Sequence, residues 1–146
     1  MLTAAEMVGA LRLQAHPEGG WYRETWRSET ALPNGRAAAT SILFLLEADQ
    51  RSHWHRVDAE ELWIYQSGSP LALSVAGSGA SRTVTLGADP HAGHTPQHLV
   101  PAGVWQSAEG PDANWTLIAC VVSPGFEFAG FELAPAGWVP ALTAPR

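Results

Sequence analysis

Apolar positions along the chain come mostly in short runs that alternate with polar ones, and only the first dozen residues follow a helical pattern. Thr3 followed three places later by Glu6 forms a capping box, with Leu2 and Met7 placed to close a hydrophobic staple around it. The pattern predicts a helix of about ten residues, from Ala4 to Leu13. Next, HPEGGWYRE brings paired glycines, after which Trp21, Arg23, Thr25 and Arg27 alternate with Tyr22, Glu24, Trp26 and Ser28 at the period of a strand. Pro33-Asn34-Gly35 signals a reversal, because Asn and Gly tolerate positive φ, and AAATSILFLLEA beyond it carries no helix cap. The two flanking segments are expected to pair as a hairpin.

Six further apolar stretches follow: ELWIYQ, LALSVA, SRTVTL, HLVP, NWTLIACVV and FEFAGFEL. Gly- and Pro-containing breaks separate them, which indicates a sandwich or barrel. AGSGA reads as a plain turn, since a phosphate loop needs a Lys and a helix after it. The closing APAGWVPALTAPR predicts an extended tail on the surface or across a partner subunit. A length of 146 residues fits one domain, divided here into a helix over 1–14, a β body over 15–134 and a tail over 135–146.

Composition sharpens the class. Hydrophobic residues make up 46% and charged residues 15%, under the roughly 25% usual for soluble chains, so the chain is expected to fold. Fourteen Gly and eleven Pro disfavour a helical bundle. A formal charge of -6 is the wrong sign for neutralising phosphates, which argues against nucleic-acid binding. No run approaches the roughly 18 apolar residues of a membrane span. The start lacks a basic leader and Cys120 stands alone, so a cytoplasmic location is expected and Asn114-Trp115-Thr116 reads as a chance glycan match.

Candidate chemistry centres on SHWHRVDAEELWIYQSG. His53 and His55 are two apart, which on a regular strand puts both on one face. Glu60 and Glu61 follow, then Gly68, and two imidazoles with one carboxylate form a ligand set for non-haem iron, zinc or manganese. Cys120 lies in the apolar TLIACVV and reads as a small hydrophobe. His91, His94 and His98 are spaced for a helix that Pro90, Gly93 and Pro96 forbid, so they are placed on a loop near the barrel mouth.

This order resembles the first motif of the cupin superfamily, and Pro101-Ala102-Gly103 resembles its second. HPEGGWYRETWRS, SILFLLEADQRSHWHRVDAEELWIYQSG, VPAGVWQSA and VVSPGFEFAGFELA together are similar to a cupin subfamily catalogued as a domain of unknown function, across His16 to Leu133. The resemblance implies an all-β double-stranded β-helix, or jelly roll, after one short helix, with a ligand pocket inside the barrel and assembly as a homodimer. An exposed sheet edge and an apolar tail would also favour pairing. The second cupin motif normally supplies a His three residues after its Gly, and here that residue is Gln106, a weaker ligand. One reading is therefore a weakly bound divalent metal on His53, His55, Glu61 and Gln106, serving an oxygenase or isomerase.

A second reading needs no metal. His55 beside Glu61 forms an acid and base pair, with His55 as the candidate base and Glu61 as its partner, and similarity to the barrel of the deoxysugar-nucleotide epimerases points to removal of a proton next to a carbonyl. The ligand would be a small polar molecule such as a carbohydrate or nucleotide-sugar, clamped by Arg23 and Arg56 and oriented by Gln106. Trp21, Trp26, Trp54, Trp63, Tyr65 and Trp105 offer faces for stacking, while Trp115 and Trp138 are assigned to the core. Alternation puts Glu61, Trp63 and Tyr65 on one face, so that if Glu61 points inward both rings line the same cavity. A third reading is a binding module without turnover.

Overall fold

The computed structural model describes residues 1–77 and 80–140. Helix α1 spans Ala4–Ala10, with Glu6 N–H donating to the Thr3 hydroxyl and Thr3 N–H to the Glu6 carboxylate, so both arms of the capping box form. It ends three residues earlier than the pattern predicts. Leu11 caps it and Arg12 takes φ 55°, which turns the chain and drops Leu13 into a cluster with Leu45, Trp115 and Leu117. Burying one leucine outweighs another turn of a short helix that is marginal by itself.

Eleven strands follow: β1 Gln14–Ala15, β2 Trp21–Arg27, β3 Thr40–Glu47, β4 Arg51–Val57, β5 Glu60–Gly68, β6 Leu71–Ala76, β7 Arg82–Leu86, β8 Gln97–Val100, β9 Trp105–Glu109, β10 Trp115–Ser123 and β11 Phe131–Leu133. They form two antiparallel sheets, β1-β2-β3-β10-β5-β8 and β11-β4-β9-β6-β7, the two layers of a jelly roll. β2 and β3 pair as the hairpin expected from the Pro33-Asn34-Gly35 reversal, with Trp21 opposite Leu45 and Arg27 opposite Thr40.

The unbroken runs SILFLL and WTLIACVV have a physical reason. Phe44, Leu46, Ile118 and Cys120 point into the main core between the sheets, whereas Leu45 and Leu117 point outward beneath α1, Met7 and Val8. Strands covered on both faces have no need of polar alternation. FEFAGFEL yields strand only at its end, because Phe128–Gly130 forms a 3-10 turn. His91 lies on an exposed 3-10 turn and His94 just after it, as the loop assignment expects, but His98 sits on β8 and is half-buried.

The tail folds back against the outside of the smaller sheet. Ala134 is buried and Trp138 packs within 4.6 Å of Trp105 and 6.2 Å of Trp54. The expectation for 141–146 and the tip of the AGSGA turn at 78–79 lie outside the described residues. No helix among the described residues is long and apolar enough to cross a membrane.

Candidate functional site

A cavity of about 440 Å³ opens between the sheets, with His16, Glu18, His55, Glu61 and Cys120 among its deeper lining and Phe126, Phe128 and Phe131 in its wall. Three separate segments supply the deep polar groups. Glu18 comes from the β1-β2 turn, His55 from β4 and Glu61 from the first residues of β5.

The HPEGG turn places Glu18. His16 N–H bonds the Gly20 carbonyl, Gly19 N–H bonds the His16 carbonyl, and Glu18 N–H donates to His16 Nδ1 at 3.1 Å. The Glu18 carbonyl then accepts from His53 N–H at 2.8 Å, which docks the turn onto β4. Gly19 makes this approach possible: its φ is +106° and a Cβ there would lie 1.9 Å from the Arg51 carbonyl oxygen. The Glu18 carboxylate ends 3.0 Å from His55 Nε2, with Ser52 Oγ donating to its other oxygen at 2.9 Å.

Both ring nitrogens of His55 are engaged, Nε2 with Glu18 and Nδ1 with the His53 carbonyl at 2.8 Å. Two acceptors require two donors, so the ring is an imidazolium. Burial opposes that charge, but the Glu18 carboxylate overcomes it, with help from Glu61, and holds His55 at about 9. Glu18 shows the complementary result. Burial raises it, yet the His55 charge and hydrogen bond bring it below its ordinary value. His16 stays neutral, since burial lowers it and its Nδ1 already accepts a backbone N–H. Its 3.9 Å approach to Glu18 is therefore not an ion pair.

Glu61 is only 7% exposed and among the described residues has no cation of its own, since His55 is taken by Glu18. Burial pushes its carboxyl up to about 7; the His55 charge partly offsets this and the Glu18 charge adds to it. Gln106 Nε2 donates to Glu61 at 2.9 Å, and Trp63 Nε1 donates to Gln106 Oε1 at 2.6 Å. An indole can only donate, so Trp63 fixes the amide orientation and aims the Gln106 N–H at the carboxylate. The Cys120 thiol, also in contact with Glu61, is pushed well up by burial and by that negative neighbour, so it is not a nucleophile.

The comparisons agree with this architecture. The family described as Cupin superfamily (DUF985) matches residues 5–134. The chain belongs to the cupin superfamily. This cupin is 31% identical over 143 residues to the uncharacterized protein YML079W of Saccharomyces cerevisiae, covering 84% of this chain and 71% of the yeast protein. Among solved structures it is similar to protein SO0799 from Shewanella oneidensis, with TM-score 0.87 and 40% identity over 92% of this chain and 85% of that one. A hypothetical protein from Leishmania major gives TM-score 0.83 and 34% identity over 90% and 86% of the two chains. Oxalate decarboxylase of Bacillus subtilis shares the fold alone, at TM-score 0.62 and 16% identity, with 82% of this chain matching 29% of that one.

The residues singled out in the cupin sequence separate into two groups. His55 and Glu61 line the same cavity, and Gln106 and Trp63 hold Glu61 from behind. Trp63 and Tyr65 do share the Glu61 face of β5, but they pack into the core instead of lining the cavity, the Tyr65 hydroxyl being spent on the Gly68 carbonyl. Arg23, Trp54 and Arg56 lie away from it. Arg23 Nε donates to the Leu11 carbonyl, and Trp54 packs on the tail. Arg56 binds Glu132 at 2.8 Å and stacks over Trp105 at 4.6 Å. These side chains alternate to the outer face of the sandwich, so neither arginine clamps a ligand inside.

The proposed metal set does not assemble in this cupin. His53 leaves the cavity because the β4-β9 register shifts between Ser52 and His55, a bulge that breaks the two-residue alternation. Its Nε2 bonds the Pro135 carbonyl at 3.0 Å instead. The His55 imidazolium has no free lone pair, and both amide atoms of Gln106 are committed. Among the described residues no group of three or more His, Cys, Asp or Glu is arranged to hold a metal ion. The donors present thus do not fit a divalent cation.

Glu18 is the site residue that the strand pattern missed. HPEGGWYRE marked a turn and a strand, and nothing local tells that its Glu turns inward against a histidine 37 positions on. The paired glycines were the available signal, since they mark a close backbone approach.

A buried carboxyl held near 7 makes stability fall with rising pH. Folded Glu61 keeps a proton that the unfolded side chain, at its ordinary value near 4.5, has already lost. Its contribution is fully present below 4.5 and gone above about 7. Glu61→Gln is therefore expected to be the more stable protein at pH 8, by roughly 3 kcal/mol, with the difference vanishing near pH 4.5. Urea unfolding at both pH values reads this directly.

Proposed function

We propose that this small-ligand-binding cupin barrel moves a proton on a carbon next to a carbonyl group, an isomerase- or epimerase-type reaction on a sugar-sized molecule. The observation that carries the reading is Glu61, a buried carboxyl facing the cavity with a value of about 7 beside an imidazolium that keeps its charge up to about 9. A general base works best when its value lies near the working pH.

In the proposed step the Glu61 carboxylate takes the proton from the α-carbon, the C–H electron pair moves into the carbonyl, and an enediolate oxygen carries the charge. The α-hydroxyl proton passes to the former carbonyl oxygen within the enediolate, and the same carboxyl returns the carbon-bound proton to the neighbouring carbon as the α-oxygen becomes the new carbonyl, so no outside reactant is needed. His55, fully used by Glu18 and the His53 carbonyl, gives no proton; its charge steadies the developing anion through the low-dielectric cavity. Gln106 keeps Glu61 in place. Phosphorylated ligands such as nucleotide-sugars are disfavoured, since Arg27 at the cavity is already bound by Glu24 at 2.7 Å.

The test is exchange of carbon-bound hydrogen in deuterated water, followed by NMR over a panel of small aldoses, ketoses and amino-substituted carbonyl compounds. Exchange should rise with pH through about 7, level off, and fall above about 9 as His55 loses its proton. Glu61→Gln should slow it by about 10²–10⁴-fold. Exchange that survives this substitution removes Glu61 as the base, and a bound ligand with no exchange leaves a binding module.

A further inference from the structure

The charges around the cavity do not cancel. Four carboxylates line it, from Glu18, Glu24, Glu61 and Glu127, against Arg27 and His55. Glu18 is matched by His55 at 3.0 Å and Glu24 by Arg27 at 2.7 Å. Arg27 is further held by the Phe126 carbonyl. Glu61 and Glu127 remain, and among the described residues neither has a cationic side chain within 4 Å. Arg36, whose charge Glu127 feels, is itself committed to Asp58 at 2.8 Å.

The cavity that they share has an aromatic stretch of wall. Phe126, Phe128 and Phe131 form a three-ring cluster with centroids 4.9–6.1 Å apart. Phe128 is 54% exposed, so part of its ring is open to solvent. Rings attract cations through their negative faces, and carboxylates nearby add to that attraction. Among the described residues an anion would find no free cation here, and a purely apolar molecule would leave Glu61 to take up a proton, whereas a cation supplies the counter-charge that an ionised Glu61 lacks.

We infer that the ligand of this cavity is an organic cation, its ammonium group seated against Phe126, Phe128 and Phe131 between Glu61 and Glu127. This rests on the cavity being the ligand site, as proposed above, and it narrows the substrate class to carbonyl compounds that bear an amino or ammonium group. The net charge of -6 on the whole chain draws such a ligand in from solution.

The experiment compares choline with 3,3-dimethylbutan-1-ol, its uncharged carbon isostere, by NMR titration of the full-length protein. Choline should shift the ring signals of Phe126, Phe128 and Phe131 and bind about tenfold more tightly than the isostere. Phe128→Ala, at an exposed position that the fold tolerates, should weaken choline several-fold, and Glu127→Gln about threefold, with the isostere unaffected by the second change. Equal binding of the two probes, or failure of choline to move those ring signals, overturns the inference. Neither probe reacts, so the outcomes stay separate. Choline preference without hydrogen exchange on any substrate would leave the cation site standing and remove the proton-transfer reading, whereas exchange on a neutral sugar without choline preference would do the reverse.

Discussion

Replacing Glu18 with Gln is expected to lower the titration of His55. His55 should fall from about 9 by one unit or more, because burial opposes its charge and the carboxylate that overcomes burial is gone. The cost in stability at neutral pH is about 3–5 kcal/mol, the usual result of removing one partner from a buried ion pair. Side-chain NMR titration of His55 gives the first number and denaturant unfolding the second. A histidine that still titrates at about 9 in Glu18→Gln would show that the 3.0 Å pair is not what charges it.

Gly19→Ala should reach the same chemistry through the backbone alone. The new Cβ would start 1.9 Å from the Arg51 carbonyl oxygen, on a strand that cannot retreat without breaking its pairing with β9, and φ +106° is strained for any residue with a side chain. Destabilisation of about 3 kcal/mol or more is expected. Because the turn must lift away from β4, the Glu18 contact with His55 should loosen and His55 should titrate lower, though no charged residue has changed. Gly35 provides the control: it too has positive φ, +86°, but nothing lies within 4 Å of its added Cβ, so Gly35→Ala should cost only the φ term, about 1 kcal/mol, and leave His55 unmoved. Equal effects from the two substitutions would contradict the docking role given to Gly19.

These two variants also mark where local reading stops. The helix start, the β2-β3 hairpin, the strand succession and the inward position of Glu61 with Trp63 were legible, because each depends on neighbours within a few residues: a cap, a turn dipeptide, a period of two. Leu13 was read as helix because its own neighbours favour one; the attraction that overrode them comes from Leu45, Trp115 and Leu117. His53 was assigned to the His55 face because alternation assumes an unbroken ladder, and the Ser52–His55 bulge breaks it. Arg23 and Arg56 carried the right chemistry for binding an anion, but period-two alternation put them outside, where Leu11 and Glu132 use them.

By itself, then, the chain's pattern determined a β sandwich or barrel with one capped helix, and its resemblance to the cupins narrowed this to a jelly roll with a pocket that His55 and Glu61 would face. Which groups touch there was a tertiary decision. Glu18 meets His55 across 37 positions of sequence, Gln106 meets Glu61 across 45, and Arg27 is spent on Glu24, so the sign of the charge left in the cavity emerges only once the strands are stacked. Period and turn chemistry act over a few residues, whereas desolvation and ion pairing depend on whatever the fold brings within about 4 Å, and no local stretch of sequence contains that information.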